Sequence, residues 1–113
     1  MTATLAYKIL TGGQLAQLFA EGTFAGAPVD IADGYIHLST AEQVRGTLDK
    51  HFAGQDDLHL AAVDLAALGD AIRWEVSRGG ALFPHIYAQL PLSAVLVHAP
   101  VSRDADGEPV LPA

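Results

Sequence analysis

The chain has 113 residues, half of them hydrophobic and none of them cysteine, with thirteen acidic residues against six basic ones for a formal net charge of −7. That length suits one domain with a real core, and the lack of cysteine removes disulfides, thiolate metal sites and a cysteine nucleophile. The acidic balance counts against DNA and long RNA, whose phosphates are bound mainly by Lys and Arg.

Leu5 to Leu10 reads as a first strand, with Leu5, Tyr7 and Ile9 on one face and Lys8 on the other. Thr11 stands three residues before Gln14, the spacing of a capping box, and predicts a helix with Leu15, Leu18 and Phe19 as its buried stripe and Gly22 as its stop. Thr23 to Asp33, with glycine and proline, reads as a loop long enough to cover a cleft. Tyr35 to Ser39 is a second strand. Ile36 and Leu38 point to the core, while Tyr35, His37 and Ser39 point away from it. Thr40 and Gln43 repeat the capping spacing and start a second helix, which runs to about Phe52 with Val44, Leu48 and Phe52 on one face. Further strands are expected at Leu58–Leu65, at Ile72–Val76 with Ile72, Trp74 and Val76 buried, and at Ala94–Val101. Leu82 to Tyr87 reads as irregular, because Pro84 limits pairing. No apolar run approaches the roughly 20 residues of a membrane span, and Met1–Thr4 has no basic-then-apolar leader pattern. The expectation is a cytoplasmic α+β domain over residues 1–103 with a loosely held tail at 104–113.

Three polar pairs carry the candidate chemistry. His37 and Ser39 are delivered to a helix N-terminus, a place that attracts anions; the bland alternative is a half-exposed strand histidine beside a helix cap. Arg73 and Glu75 share a strand face and read equally well as a surface ion pair. His85 and Tyr87 follow Pro84, as a site or as a packed loop. Lys8, Arg45, Arg73 and Arg78 lie on or beside these segments, whereas Lys50 and Arg103 do not; such a grouping would suit a small anion better than a polymer. No pair of histidines has a metal-binding spacing, and there is no phosphate loop or nucleophile elbow.

The runs Gly34–Gln43, His51–Gln55, Arg73-Trp74-Glu75, Arg78-Gly79-Gly80 and Leu82–Tyr87 resemble the bacterial "domain of unknown function 952" family over about residues 5–101. That family is in turn remotely similar to the ADP-ribosyltransferase-like fold, through a His-Leu-Ser strand like that of the RNA 2′-phosphotransferases. The resemblance implies a split, mainly antiparallel sheet flanked by two helices. It also implies a nucleotide-like ligand, NAD or ADP-ribose. His37 and Glu75 would be catalytic. Ser39, Thr40, Lys8, Arg73, Arg78, His85 and Tyr87 would bind the ligand. The superfamily keeps His or Arg on its first strand where this chain has Lys8 after Tyr7, and lysine binds phosphate only as a point charge. Two alternatives stand beside ADP-ribosyl or glycosidic transfer: a non-catalytic ligand-sensing or protein-interaction module, and a metal-assisted hydrolase using the histidines.

Overall fold

The computed structural model describes residues 4–112. Three antiparallel sheets and three short helices make an α+β fold. Strand β1 (Leu5–Thr11) pairs with β4 (Leu58–Asp64), which pairs with β8 (Val95–Pro100). β2 (Thr23–Phe24) pairs with β7 (Leu90–Pro91). β6 (Leu82–Ile86) lies between β3 (Ile36–His37) and β5 (Ile72–Val76). One bridge, between Tyr7 and Ser39, joins the first sheet to the third, so the segment after β3 crosses from one to the other.

The first sheet is covered on both faces, and its strands show the period of two that this demands. Ala6, Leu10, Ala61 and Val63 join a core cluster with Leu15 and Leu18 of helix α1 (Gly12–Glu21), and with Ile36, Leu38 and Ile86 of the third sheet's segments. Tyr7, Ile9, Leu60 and Ala62 join a second cluster with Val44 and Leu48 of helix α3 (Val44–His51). The face of β1 that carries Lys8 is therefore interior too.

α1 follows its sequence signals: the Thr11 hydroxyl accepts from the Gln14 backbone N–H, the Gln14 side-chain oxygen accepts in return from the Thr11 N–H, and Gly22 closes the helix at φ 75°. Phe19 departs from the expected stripe; it is half-exposed and packs edge-on against His98. The stretch expected to be a loop, Thr23–Asp33, instead forms β2 and a third helix, α2 (Pro28–Asp33). Pro28 pre-sets the first helical turn, and Asp30 accepts from the Ala27 amide, the N-terminal half of a capping box. α3 starts later than expected: residues 41–43 form a turn, and Gln43 hydrogen-bonds the Thr40 amide without a reciprocal bond from the Thr40 side chain.

Leu82–Ile86 is the central strand of its sheet and not an irregular segment. In a strand the N–H and C=O of one residue point the same way. The Pro84 carbonyl accepts from the Leu38 amide, so the missing proline donor falls on the side where β3 is only two residues long, and the ladder with β5 is untouched. Val76, expected to be buried, is 69% exposed at the end of β5, while Ile72 and Trp74 on the same face are partly buried against the core. The segment after β8 makes contacts of its own. Arg103 bridges to Pro109, its guanidinium reaches Asp49 and the Gly107 carbonyl, and Arg45 pairs with Glu108, which ties the segment to α3.

Candidate functional site

A cleft of about 630 Å³ lies against β1, α2, α3 and the β3–β6 pair. Small-molecule sites have this size and this mixture of apolar wall and few polar groups. Ile9, Phe52 and Phe83 supply apolar wall; Lys8, His37, Ser39 and His85 supply polar groups.

One side is organised by Asp30. It is 1% exposed and accepts four hydrogen bonds: from Lys8 Nζ at 2.9 Å, His37 Nδ1 at 2.6 Å, the His37 amide at 3.1 Å and the Ala27 amide at 2.8 Å. Burial alone would raise its pKa; the His37 ring, the Lys8 charge and the Ala27 N–H outweigh that and hold it down at about 2. Lys8 is 5% exposed. Burial lowers its pKa against the opposing pull of Asp30, and its ammonium also donates to the His37 carbonyl at 3.1 Å. His37 Nε2 lies 2.9 Å from Asp33 at the end of α2. Ser39 shares a hydrogen bond with Thr47 of α3 at 2.9 Å.

The other side is organised by Glu75. Its Oε1 accepts from His85 Nδ1 at 2.8 Å and from the Tyr87 hydroxyl at 2.7 Å. These bonds lower the Glu75 pKa and raise that of Tyr87. The strand register sets His37 opposite His85, with ring centroids 5.3 Å apart. The Tyr35 ring stacks on His85 at 4.1 Å and leans on His37 at 4.8 Å. Burial raises the Tyr35 pKa, helped by Asp33 and Glu75.

The structure thus brings His37, Ser39, Lys8 and His85 to one cleft. Glu75 and Tyr87 are not among its lining residues; they stand behind His85. Arg73 does not line it either: its guanidinium lies 5.1 Å from the centre of the Tyr87 ring. Thr40 serves the turn before α3. The side chain of Arg78 lies outside the described part. The expected basic cleft is corrected as well. Lys8 is neutralised by Asp30, and among the described side chains the exposed cation on the lining is Lys50 of α3, which the sequence reading had set aside. Asp30 was missed entirely. Its signal was present, since a proline at the first helical position with an acid two residues on marks a helix start. Among the described residues, no group of three or more His, Asp or Glu side chains is placed to hold a metal ion, and no helix is long and apolar enough to cross a membrane.

Protein CC0527 from Caulobacter crescentus is 48% identical to this chain. Its crystal structure superposes with a TM-score of 0.86 over 95% of this chain and 94% of the other. Its solution NMR structure gives 0.80 over 95% and 92%. No curated protein matches at a significant level. The family model described as "Protein of unknown function (DUF952)" matches residues 9–98, and with that span and the Caulobacter similarity the chain belongs to this family.

Proposed function

We propose that this chain binds a nucleotide-like small molecule, NAD or ADP-ribose, in the cleft between α3 and the β3–β6 pair, and works in the cytoplasm. The observation that carries the reading is the convergence of His37, Ser39, Lys8 and His85 on an apolar-walled cleft of about 630 Å³. Phe52 and Phe83 offer flat apolar surface for a base, the Ser39 hydroxyl and the His85 imidazole suit ribose oxygens, and Lys50 offers a charge for phosphate at the rim. The resemblance to the ADP-ribosyltransferase-like fold supports the same ligand class.

Glycosidic transfer from NAD is the reaction that this resemblance implies. A second reading, a non-catalytic sensing module, draws support from Glu75. The carboxylate expected to face a developing ribosyl cation hydrogen-bonds His85 and Tyr87 and is not among the residues lining the cleft.

Calorimetric titration with ADP-ribose and with NAD tests the binding. At a hundredfold excess over Kd the ligand adds about 2.7 kcal/mol of stability. Lys50→Ala, an exposed change with little structural cost, weakens it. Millimolar dinucleotide producing neither heat nor a melting shift refutes the reading. Nicotinamide release from NAD separates enzyme from sensor.

A further inference from the structure

His85 is 1% exposed, borders the cleft, and has one nitrogen without a partner. Nδ1 gives its hydrogen to the Glu75 carboxylate at 2.8 Å. In the neutral ring that leaves Nε2 as a bare lone pair, and Nε2 is buried with no hydrogen-bond partner among the described residues. A buried acceptor left without a donor is costly. Native folds keep few of them, and each calls for a partner or a role. The ring has little freedom to turn away. Glu75 fixes one edge, Tyr35 stacks on its face at 4.1 Å, and the register with His37 fixes its strand position.

We propose that His85 Nε2, on the wall of the cleft, is the acceptor for a hydroxyl or N–H of the ligand, and that Glu75 is a positioning residue that holds the ring in the accepting tautomer. The proposal rests on the nucleotide reading and sharpens it. The end of the ligand at His85 is an uncharged hydrogen-bond donor, such as a ribose hydroxyl, and not a phosphate. A phosphate oxygen is an acceptor and would meet the lone pair of Nε2. A ligand lacking that donor would leave the nitrogen unpaired, the situation in which buried polar groups discriminate best.

The test uses imidazole 15N NMR on the whole chain, with ADP-ribose as the probe. In the free protein His85 Nε2 shows the unprotonated signature and Nδ1 the protonated one; Nε2 found protonated at neutral pH overturns the proposal. Addition of ADP-ribose moves the Nε2 resonance towards a hydrogen-bonded position. His85→Phe, which keeps a stacking ring and removes the acceptor, lowers ADP-ribose affinity about tenfold while thermal unfolding stays cooperative. Should that variant fail to fold, Glu75→Gln decides: a loss of the single tautomer in the 15N spectrum supports the positioning role, and an unaltered spectrum refutes it. Binding that persists with a silent His85 overturns this proposal and leaves the nucleotide reading standing. Absence of ADP-ribose binding overturns both.

Discussion

Replacing Asp30 with Asn keeps the shape of the side chain and removes the charge that neutralises Lys8. Four donors converge on the carboxylate. An amide offers one oxygen to them and sets its own NH2 against the rest. Breaking a buried ion pair by removing one partner costs about 3–5 kcal/mol, a large share of the 5–15 kcal/mol typical of domain stability. An independent bound comes from Lys8. Once unpaired, it can shed its proton, and from an ordinary value near 10.4 that costs about 4.6 kcal/mol at pH 7 and about 2 kcal/mol at pH 9. The penalty therefore cannot much exceed the first figure and shrinks towards the second as pH rises. The expected drop in melting temperature at pH 7 is roughly 10–25 °C. Urea unfolding of wild type, Asp30→Asn, Lys8→Met and the double variant closes a cycle. The double variant recovers much of the loss, because a buried pair replaced on both sides is close to neutral. A single variant within about 1 kcal/mol of wild type, or a coupling of zero, refutes the assignment of Asp30 as the anchor of the cleft.

Acid should act on the same carboxylate. The folded Asp30 pKa of about 2 lies below its ordinary value of 3.8, so its contribution is complete above about pH 4 and is lost as pH falls towards 2. The amount is about 2 kcal/mol, read as a drop in urea midpoint over that window that is absent from Asp30→Asn. Gly34 closes α2 at φ 89° with nothing within 4 Å of an added Cβ. Gly34→Ala should cost about 1–2 kcal/mol from the backbone alone, and denaturant unfolding at neutral pH measures it; no loss would show that the turn into β3 is not held left-handed.

Elements announced by local chemistry were legible in the sequence. α1 carries both partners of its capping box and its glycine stop within twelve residues, Thr11 to Gly22. The core alternation of Ile36 and Leu38 was equally plain, as both are buried. α2 was hidden because six helical residues between glycines, with a proline at the first position, have the composition of a loop. β6 was hidden because Pro84 argues against a central strand unless the direction of its missing N–H is known, and that depends on a partner 46 residues earlier in the chain, Leu38. For the same reason the sequence could nominate His37 and His85 but not pair them. Their meeting depends on the β3–β6 register, which is a long-range property. Lys8 was recognisable as unusual, yet its neutralisation requires Asp30, and a residue assigned to a surface loop cannot be predicted as a buried counter-ion.

The position of Glu75 constrains what chemistry the cleft could support. A carboxylate that stabilises a developing ribosyl cation has to lie against it. Here the imidazole of His85 takes that carboxylate oxygen as a hydrogen-bond acceptor, and the Tyr87 hydroxyl takes the same oxygen. From behind a ring, a carboxylate acts by fixing tautomer and orientation, as acidic partners of histidine do at many sites. Among the described side chains, the cation that could meet a phosphate is not Lys8, whose charge Asp30 already satisfies, but Lys50, exposed on the last turn of α3. On the proposed reading these two facts orient the ligand, with its phosphates towards the α3 rim and its hydroxyl-bearing end towards His85. They also leave Glu75 the role of holding His85, the residue that lines the cleft, so on this reading Glu75 acts on the ligand through the ring it orients.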